Sequence, residues 1–595
     1  MTGKLTAGGA IFGKLRALGV DHVFANSGTD FPPIIEGLIG ARKAGLELPV
    51  PVTVPHEHAA VSMAHGYWQV TGRPQAVLLH TNVGLANGAT ALINAWCDQV
   101  PMIVMSGRTP VTERDRFGAR TVPIGWGQEM FDQEGLIRET TKWQYELRFA
   151  DQVAELMDRA WAIANSTPKG PVYLSLPREV LCEPCPRDGL DAPSRLAPAL
   201  TAPDPDALAR AARALRAAEH PLIIAQRGAG SDAGFAALAQ LCSDFALPLS
   251  HYWSNQLALP LSHPCQVGAD PAPWLERADV VLVLDALAPW FPDKVTLRDD
   301  VTVIQAGPDP LFSRTPVRGF AADISLAGPV DRIIDTLGRE MRGWQAAAQA
   351  AKTASTDNVD TQEASGLSAR LARRDRIATA AQQDRAAVLQ RAEAGKAVAG
   401  QAGAMTKDWV SLCLGRAIKA SGRRATVFHE LGCPLMPLDL DQPDSYFQEP
   451  HSGGLGWGLP AAIGAKMAQP DRLVFATVGD GSYMFANPTA CHMVAEAQGV
   501  PVITLVLNNE EWGAVRQSVE GLYPEGHARA ENEVPLTSLR PSPDFTRTAE
   551  ASRAWTETVT NGADLPAALD RAITVATTEG RQVLLNIAIA RTALP

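Results

Sequence analysis

At 595 residues the chain is longer than one hydrophobic core usually serves, so two to four domains are expected. The balance of 53 basic against 64 acidic residues gives a net charge of −11, which argues against a nucleic-acid partner. No apolar run reaches the roughly 20 residues that cross a bilayer, and eight cysteines over this length suit a reducing, cytoplasmic compartment.

The first twenty residues read as an amphipathic helix rather than a signal peptide. Strand-like runs follow at Val20–Ala25, Gln75–His80, Pro101–Ser106 and Pro171–Leu176, with helical patterns between them. Such alternation signals a parallel α/β domain, placed at residues 1–183. Within it, Pro55-His56-Glu57-His58-Ala59-Ala60 leads into an apolar helical pattern. Taken alone, Glu57 reads as an exposed loop residue. Cys182 and Cys185 form a CxxC with no second pair or His cluster nearby, so a structural or incidental role is expected.

Pro- and Ala-rich residues 184–206 read as a linker. A second α/β domain is expected at 207–340, with strands at Pro221–Ala225, Val280–Asp285 and Val301–Gln305. The turn Arg227-Gly228-Ala229-Gly230 is similar to a dinucleotide-binding loop, but tight-turn glycines explain it as well, so FAD is carried only as an alternative. Residues 345–405 shift to Ala, Gln, Arg, Thr and Asp. Ser368–Ala394 is rich in helix formers, whereas the polar stretch Thr353–Ser365 reads as disordered. The segment is expected to be a partly helical insertion or linker, with a lid as the alternative.

The third α/β domain, 406–595, holds the most informative motif. The strand Leu473–Val478 runs into Gly479-Asp480-Gly481-Ser482, and a second strand, Val502–Leu507, ends in Asn508-Asn509. Oxygen ligands therefore stand at two strand C-termini, where open α/β sheets bind ligands. Magnesium takes hard oxygens in a tight octahedron, several of them from phosphates and water. Asp480, the Asn509 amide and the Glu511 carbonyl can supply the protein's share. Gly479 and Gly481 let the backbone approach a phosphate, and N–H groups after Ser482 can face the anion. Asn487-Pro488 reads as the N-cap and first position of the next helix.

The run from Gly479 to Asn509 resembles the fingerprint of thiamine-diphosphate (ThDP) enzymes, which begins GDG and ends NN. The resemblance implies three doubly wound parallel-sheet domains (pyrimidine-binding, central and diphosphate-binding), with Asp480, Asn509 and the Glu511 carbonyl on the metal. It also implies that Glu57, opening a helix after the second strand, hydrogen-bonds the cofactor's aminopyrimidine and drives loss of the proton that activates it. Leu78–Trp96 resembles the benzoylformate decarboxylase branch, where a strand-end His is catalytic; it maps to His80. Val23–Thr29 resembles that branch's first loop, with Thr29 in the place of a catalytic Ser. The run Gly453–Gly464 is also close, which implies that Leu455 supports the bent cofactor and the Gly453 carbonyl binds its pyrimidine.

Structural roles compete for His80, as a strand-end histidine, and for Thr29, as a turn cap. His56 and His451 are further proton-transfer candidates without a mapped role. Asn508-Asn509-Glu510-Glu511 is closer to acetolactate synthases, Trp512 can narrow or floor the pocket, and His429–Cys433 lacks the Ser/Thr cluster of benzoylformate decarboxylases. The expected function is a ThDP- and magnesium-dependent enzyme of 2-oxo acids. It would release an aldehyde or couple the acyl unit to an aldehyde or ketone. An acetolactate-synthase-like transferase and a non-catalytic homologue are the alternatives, and an oxidase would need FAD. A homodimer or homotetramer with sites between subunits is implied, with no nucleic-acid or membrane partner.

Overall fold

The computed structural model describes residues 5–354, 360–398 and 404–591, and the side chains of 346–369 are outside the description. Three parallel sheets organise the chain. The first holds β1 (His22–Ala25), β2 (Val50–Thr53), β3 (Ala76–Leu79), β4 (Ile103–Arg108), β5 (Gln144–Glu146) and β6 (Val172–Pro177) in the order β2-β1-β3-β4-β6-β5. The central sheet holds β7 (Pro221–Ala225), β8 (Leu249–Ser250), β9 (Val280–Leu284), β10 (Thr302–Gly307) and β11 (Ile324–Ala327), ordered β11-β10-β9-β7-β8. The third holds β12 (Ala425–Glu430), β13 (Tyr446–Gln448), β14 (Leu473–Gly479), β15 (Ile503–Asn508), β16 (Trp555–Val559) and β17 (Val583–Ala588), ordered β13-β12-β14-β15-β17-β16.

The first and third sheets thus share one strand order, with the first strand in sequence lying between the second and third. Central strands are apolar on both faces because helices cover both sides. In β1, Val23 packs into the core that contains the N-terminal helix Ala7–Ala17. Its neighbour Phe24 points the other way, into a core shared with Phe428, Val474 and Ala476 of the third domain. One continuous apolar layer therefore joins the two outer domains.

At the centre of that layer the helix Glu57–Thr71 crosses the helix Gly458–Ala468. The crossing is reciprocal. A Cβ on Gly66 would run into the Ala461 carbonyl, and one on Gly464 into the Met63 carbonyl. Only glycine lets the two backbones come that close.

The central domain is tied in by an arginine whose side chain is only 9% exposed. Arg227 Nη2 donates to the Cys97 carbonyl of the first domain at 2.7 Å, and Nη1 to Asp285 at 3.2 Å. The side chain of the Arg227–Gly230 turn, read from sequence as a possible dinucleotide loop, is thus engaged in an interdomain contact. The long helix Asp360–Ala394 spans the central and third domains. Arg373 donates to the carbonyls of Ala218 and Phe245, and Arg385 holds Asp439 through Nε at 2.9 Å and Nη2 at 2.7 Å. The disorder expected for Thr353–Ser365 falls largely outside the described residues. All eight cysteines are free, Cys182 and Cys185 among them. Among the described residues no helix is long and apolar enough to cross a membrane.

Candidate active site

Doubly wound sheets open a crevice beyond the strand C-termini where the strand order reverses. In the first sheet that point lies between β1 and β3; the loop after β1 carries Asn26–Asp30, and β3 runs into His80. The neighbouring β2 leads to Glu57. In the third sheet the point lies between β12 and β14, which end at Glu430 and Gly479.

Beyond the third sheet lies a cavity of about 840 Å³. Gly479, Asp480, Gly481 and Ser482 from the end of β14 line it, together with Asn509 and Glu511 after β15. Gly453 and Leu455 close it from the loop before the helix Gly458–Ala468. Asp480 Oδ1 accepts the Gly481 N–H at 3.0 Å, while Oδ2 is buried without a hydrogen-bond partner among the described residues. Burial pushes this carboxyl up to about 6. Asn509 Oδ1 accepts the Glu511 N–H at 3.2 Å. The Glu511 side chain pairs with Arg516 at 3.1 Å, and its backbone carbonyl accepts the Gly513 N–H at 2.9 Å, which leaves that oxygen a second lone pair.

Trp512 stands over Gly481, where a Cβ would meet the indole, and Phe485 meets it edge-on at 5.8 Å. A short helix, Asp480–Phe485, starts at the motif's aspartate itself. Asn487 precedes the next helix with Pro488 at its first position, but it corrects one expectation: its side chain makes no capping bond. Its backbone is instead left-handed (φ 51°), a conformation asparagine tolerates, which turns one helix into the next.

The cavity has a polar wall that the motifs did not announce. Lys407 Nζ donates to the Leu431 carbonyl at 2.5 Å, and burial lowers its pKa. Burial pushes Glu449 up to about 8 and His429 down to about 3. Glu430, on the last position of β12, accepts the N–H groups of Gly456 and Gly458 at 2.5 Å each and so holds the loop that carries Leu455. Burial outweighs those donors and lifts its carboxyl to about 7.

Glu57 does not line this cavity. It is buried at the first-sheet edge, where Asn26 Nδ2 donates to Oε1 at 2.9 Å and Asn87 Nδ2 to Oε2 at 2.5 Å. His80 is its neighbour. Its Nδ1 lies 2.5 Å from Asp30 Oδ1 and its Nε2 3.1 Å from the Gln128 side-chain amide. Thr29 is exposed on the same loop as Asp30. His56 is lowered by burial, and His451 bonds the Trp253 carbonyl at 2.8 Å. Sequence reasoning missed Asn26, Asp30, Asn87 and Gln128. Asn87 sits inside the quoted run Leu78–Trp96, three residues past Gly84, so a helix-face reading of that run could have found it.

Two family profiles match the chain. One described as thiamine pyrophosphate enzyme, N-terminal TPP binding domain, covers residues 5–136, and its C-terminal TPP binding counterpart covers 430–587. The chain is 30% identical over 556 residues to a probable 2-ketoarginine decarboxylase of Pseudomonas aeruginosa, covering 91% of this chain and 87% of that one. It is 26% identical over 527 residues to benzoylformate decarboxylase of the same organism, covering 86% and 87%. The solved structure of the thiamine diphosphate-dependent 4-hydroxybenzoylformate decarboxylase of Rhodococcus jostii RHA1 superposes with a TM-score of 0.76 at 22% identity, covering 99% of each chain, a likeness of fold. With the profiles on its first and third domains and the 30% identity to the Pseudomonas aeruginosa protein, the chain belongs to the thiamine pyrophosphate enzyme family.

Proposed function

We propose that the protein is a ThDP- and magnesium-dependent enzyme that decarboxylates a 2-oxo acid and releases an aldehyde or couples the acyl unit to a second carbonyl compound. The observation that carries this reading is the Asp480 cavity. A buried carboxylate oxygen without a partner, facing a cavity beside an amide oxygen and a free carbonyl lone pair, is costly unless a cation completes it. The donor set is all oxygen, as magnesium requires, and it leaves positions for phosphate and water. Asp480, Asn509 and the Glu511 carbonyl would hold the metal, Gly479, Gly481 and Ser482 would lie against the diphosphate, and Gly453 and Leu455 against the rest of the cofactor.

When bound, ThDP supplies an electron sink for the pair left behind as carbon dioxide departs. The protein's own groups do the rest. Glu57, clamped by Asn26 and Asn87, would hold a proton at the cofactor's pyrimidine ring. His80 would deliver the proton that ends a decarboxylation, and Thr29 would meet the substrate from its exposed loop. Glu57 does not line the Asp480 cavity of its own chain, so on this reading a second copy brings the two together, a dimer at least. The similarity to two decarboxylases favours aldehyde release, whereas the run Asn508–Glu511 favours an acetolactate-synthase-like coupling.

A screen of 2-oxo acids with ThDP and magnesium, with and without acceptor aldehydes, separates the two by scoring carbon dioxide and coupled products. Asp480→Ala should weaken ThDP–magnesium binding at least about tenfold, or about 1.4 kcal/mol, by calorimetry. Unchanged affinity would remove the metal site from Asp480.

A further inference from the structure

His80 has both ring nitrogens engaged, and the acidic partner on Nδ1 is unusually well housed. Asp30 is 4% exposed, and its second oxygen accepts the Thr81 N–H, at the start of the helix Thr81–Cys97, at 3.3 Å. Two glycines make the room. A Cβ on Gly28 would fall onto the His80 ring, and one on Gly107 onto the Asp30 carboxylate. Neither glycine has a positive φ, so backbone conformation does not demand them. The side chains beside them do.

We propose that Asp30 is a positioning residue for His80, the acidic member of a dyad that fixes Nδ1 as a donor and leaves Nε2 as the proton-transfer atom. The proposal rests on the decarboxylase reading above. With Nδ1–H given to Asp30, neutral His80 can accept the Gln128 amide N–H at Nε2. Once protonated, it can give Nε2–H to the amide oxygen after a flip of that side chain. Both states are satisfied, as a group that cycles its proton needs. In the reaction the bond between the acyl carbon and the carboxylate breaks, its electron pair stays with the acyl carbon, and that carbon takes the proton from Nε2. Solvent returns one proton to His80, so each turnover consumes one.

The charged groups facing His80 are Asp30, from the loop ahead of the helix Pro32–Lys43, and Glu57, from the start of the helix Glu57–Thr71; Gln128 is neutral. The Asp30 hydrogen bond is the largest influence and raises the imidazole above its ordinary 6.5; burial opposes it, and the charges of Asp30 and Glu57 add to it. Asp30→Asn keeps an oxygen for the Thr81 N–H but turns an amide NH2 toward Nδ1, so it removes the charge and the Nδ1–H acceptor together.

The test reads two quantities. The first is the titration of His80 in [13Cε1]-histidine-labelled protein without substrate, its signal assigned by loss in His80→Gln. The second is carbon dioxide release against pH. Wild-type His80 should titrate above 6.5, and at a lower pH in Asp30→Asn than in wild type. That variant's kcat should fall at least about tenfold, its basic limb should move to lower pH, and KM and ThDP affinity should hold within about twofold. An unmoved His80 titration would overturn the dyad. So would a wild-type midpoint at or below 6.5, a measurement that needs no variant to fold. A moved titration with unchanged kcat would overturn the positioning role in catalysis. Absence of turnover on every 2-oxo acid would sink the decarboxylase reading and leave the titration to decide the dyad.

Discussion

Two buried glutamates, Glu57 and Glu430, are held in different ways, and the difference predicts what each substitution does. Glu57 is gripped by two side-chain amides, which position a carboxyl group without blocking all its lone pairs. Glu57→Gln keeps the shape and removes the acid. Turnover should fall on the order of 100- to 10,000-fold while ThDP affinity stays within a few-fold; near-normal turnover would remove Glu57 from the chemistry. Glu430 is gripped by two backbone N–H groups, one on each oxygen. Glu430→Gln sets an NH2 against one of them and should cost about 1–3 kcal/mol. Thermal unfolding of the apo protein should register that loss together with weaker ThDP binding, and an unchanged melting temperature would show that the Gly456–Gly458 loop stands without it. These partners were hard to read in advance. Asn26 and Asn87 lie 31 and 30 positions from Glu57, and Asp30 lies 50 from His80. No spacing rule brings such pairs together; only the convergence of loops at the β1/β3 crevice does. The Gly479–Asn509 motif was legible because both of its halves end consecutive, neighbouring strands.

At the scale of elements, burial on two faces decided what the sequence could reveal. β3, β4, β7 and β14 are buried at every or nearly every position and appear as plain apolar runs. β2 (VPVT) has one buried residue in four, and β16 (WTETV) one in five. Both sit at sheet edges, where only one neighbour is needed and Pro or Glu is tolerated, so neither stood out. The crossing of the helices Glu57–Thr71 and Gly458–Ala468 was likewise invisible, because a glycine within an apolar helix announces no partner. Gly464→Ala should force the Met63 carbonyl away and cost about 1–3 kcal/mol or more. Calorimetric unfolding checks it, and a variant as stable as wild type would mean that the helices separate at no cost. The same crossing aims the N-terminus of one helix, at Glu57, and the loop before the other, at Leu455, toward the two half-sites.

For the molecule as a whole, the shared strand order of the outer sheets places one half-site on each, with the apolar layer between them. The proposed active centre needs Glu57 from one chain and the Asp480 cavity from another. Complementation tests this most directly. Glu57→Gln and Asp480→Ala chains carrying different tags are co-expressed, the mixed oligomer is purified through both tags, and ThDP-dependent release of carbon dioxide from a 2-oxo acid is measured. Each parent variant should be nearly inactive. The mixed species should recover activity, up to roughly half of wild type, because one of its two sites is built wholly from unaltered residues. A mixed oligomer that binds ThDP yet stays as inactive as its parents would contradict a site shared between chains.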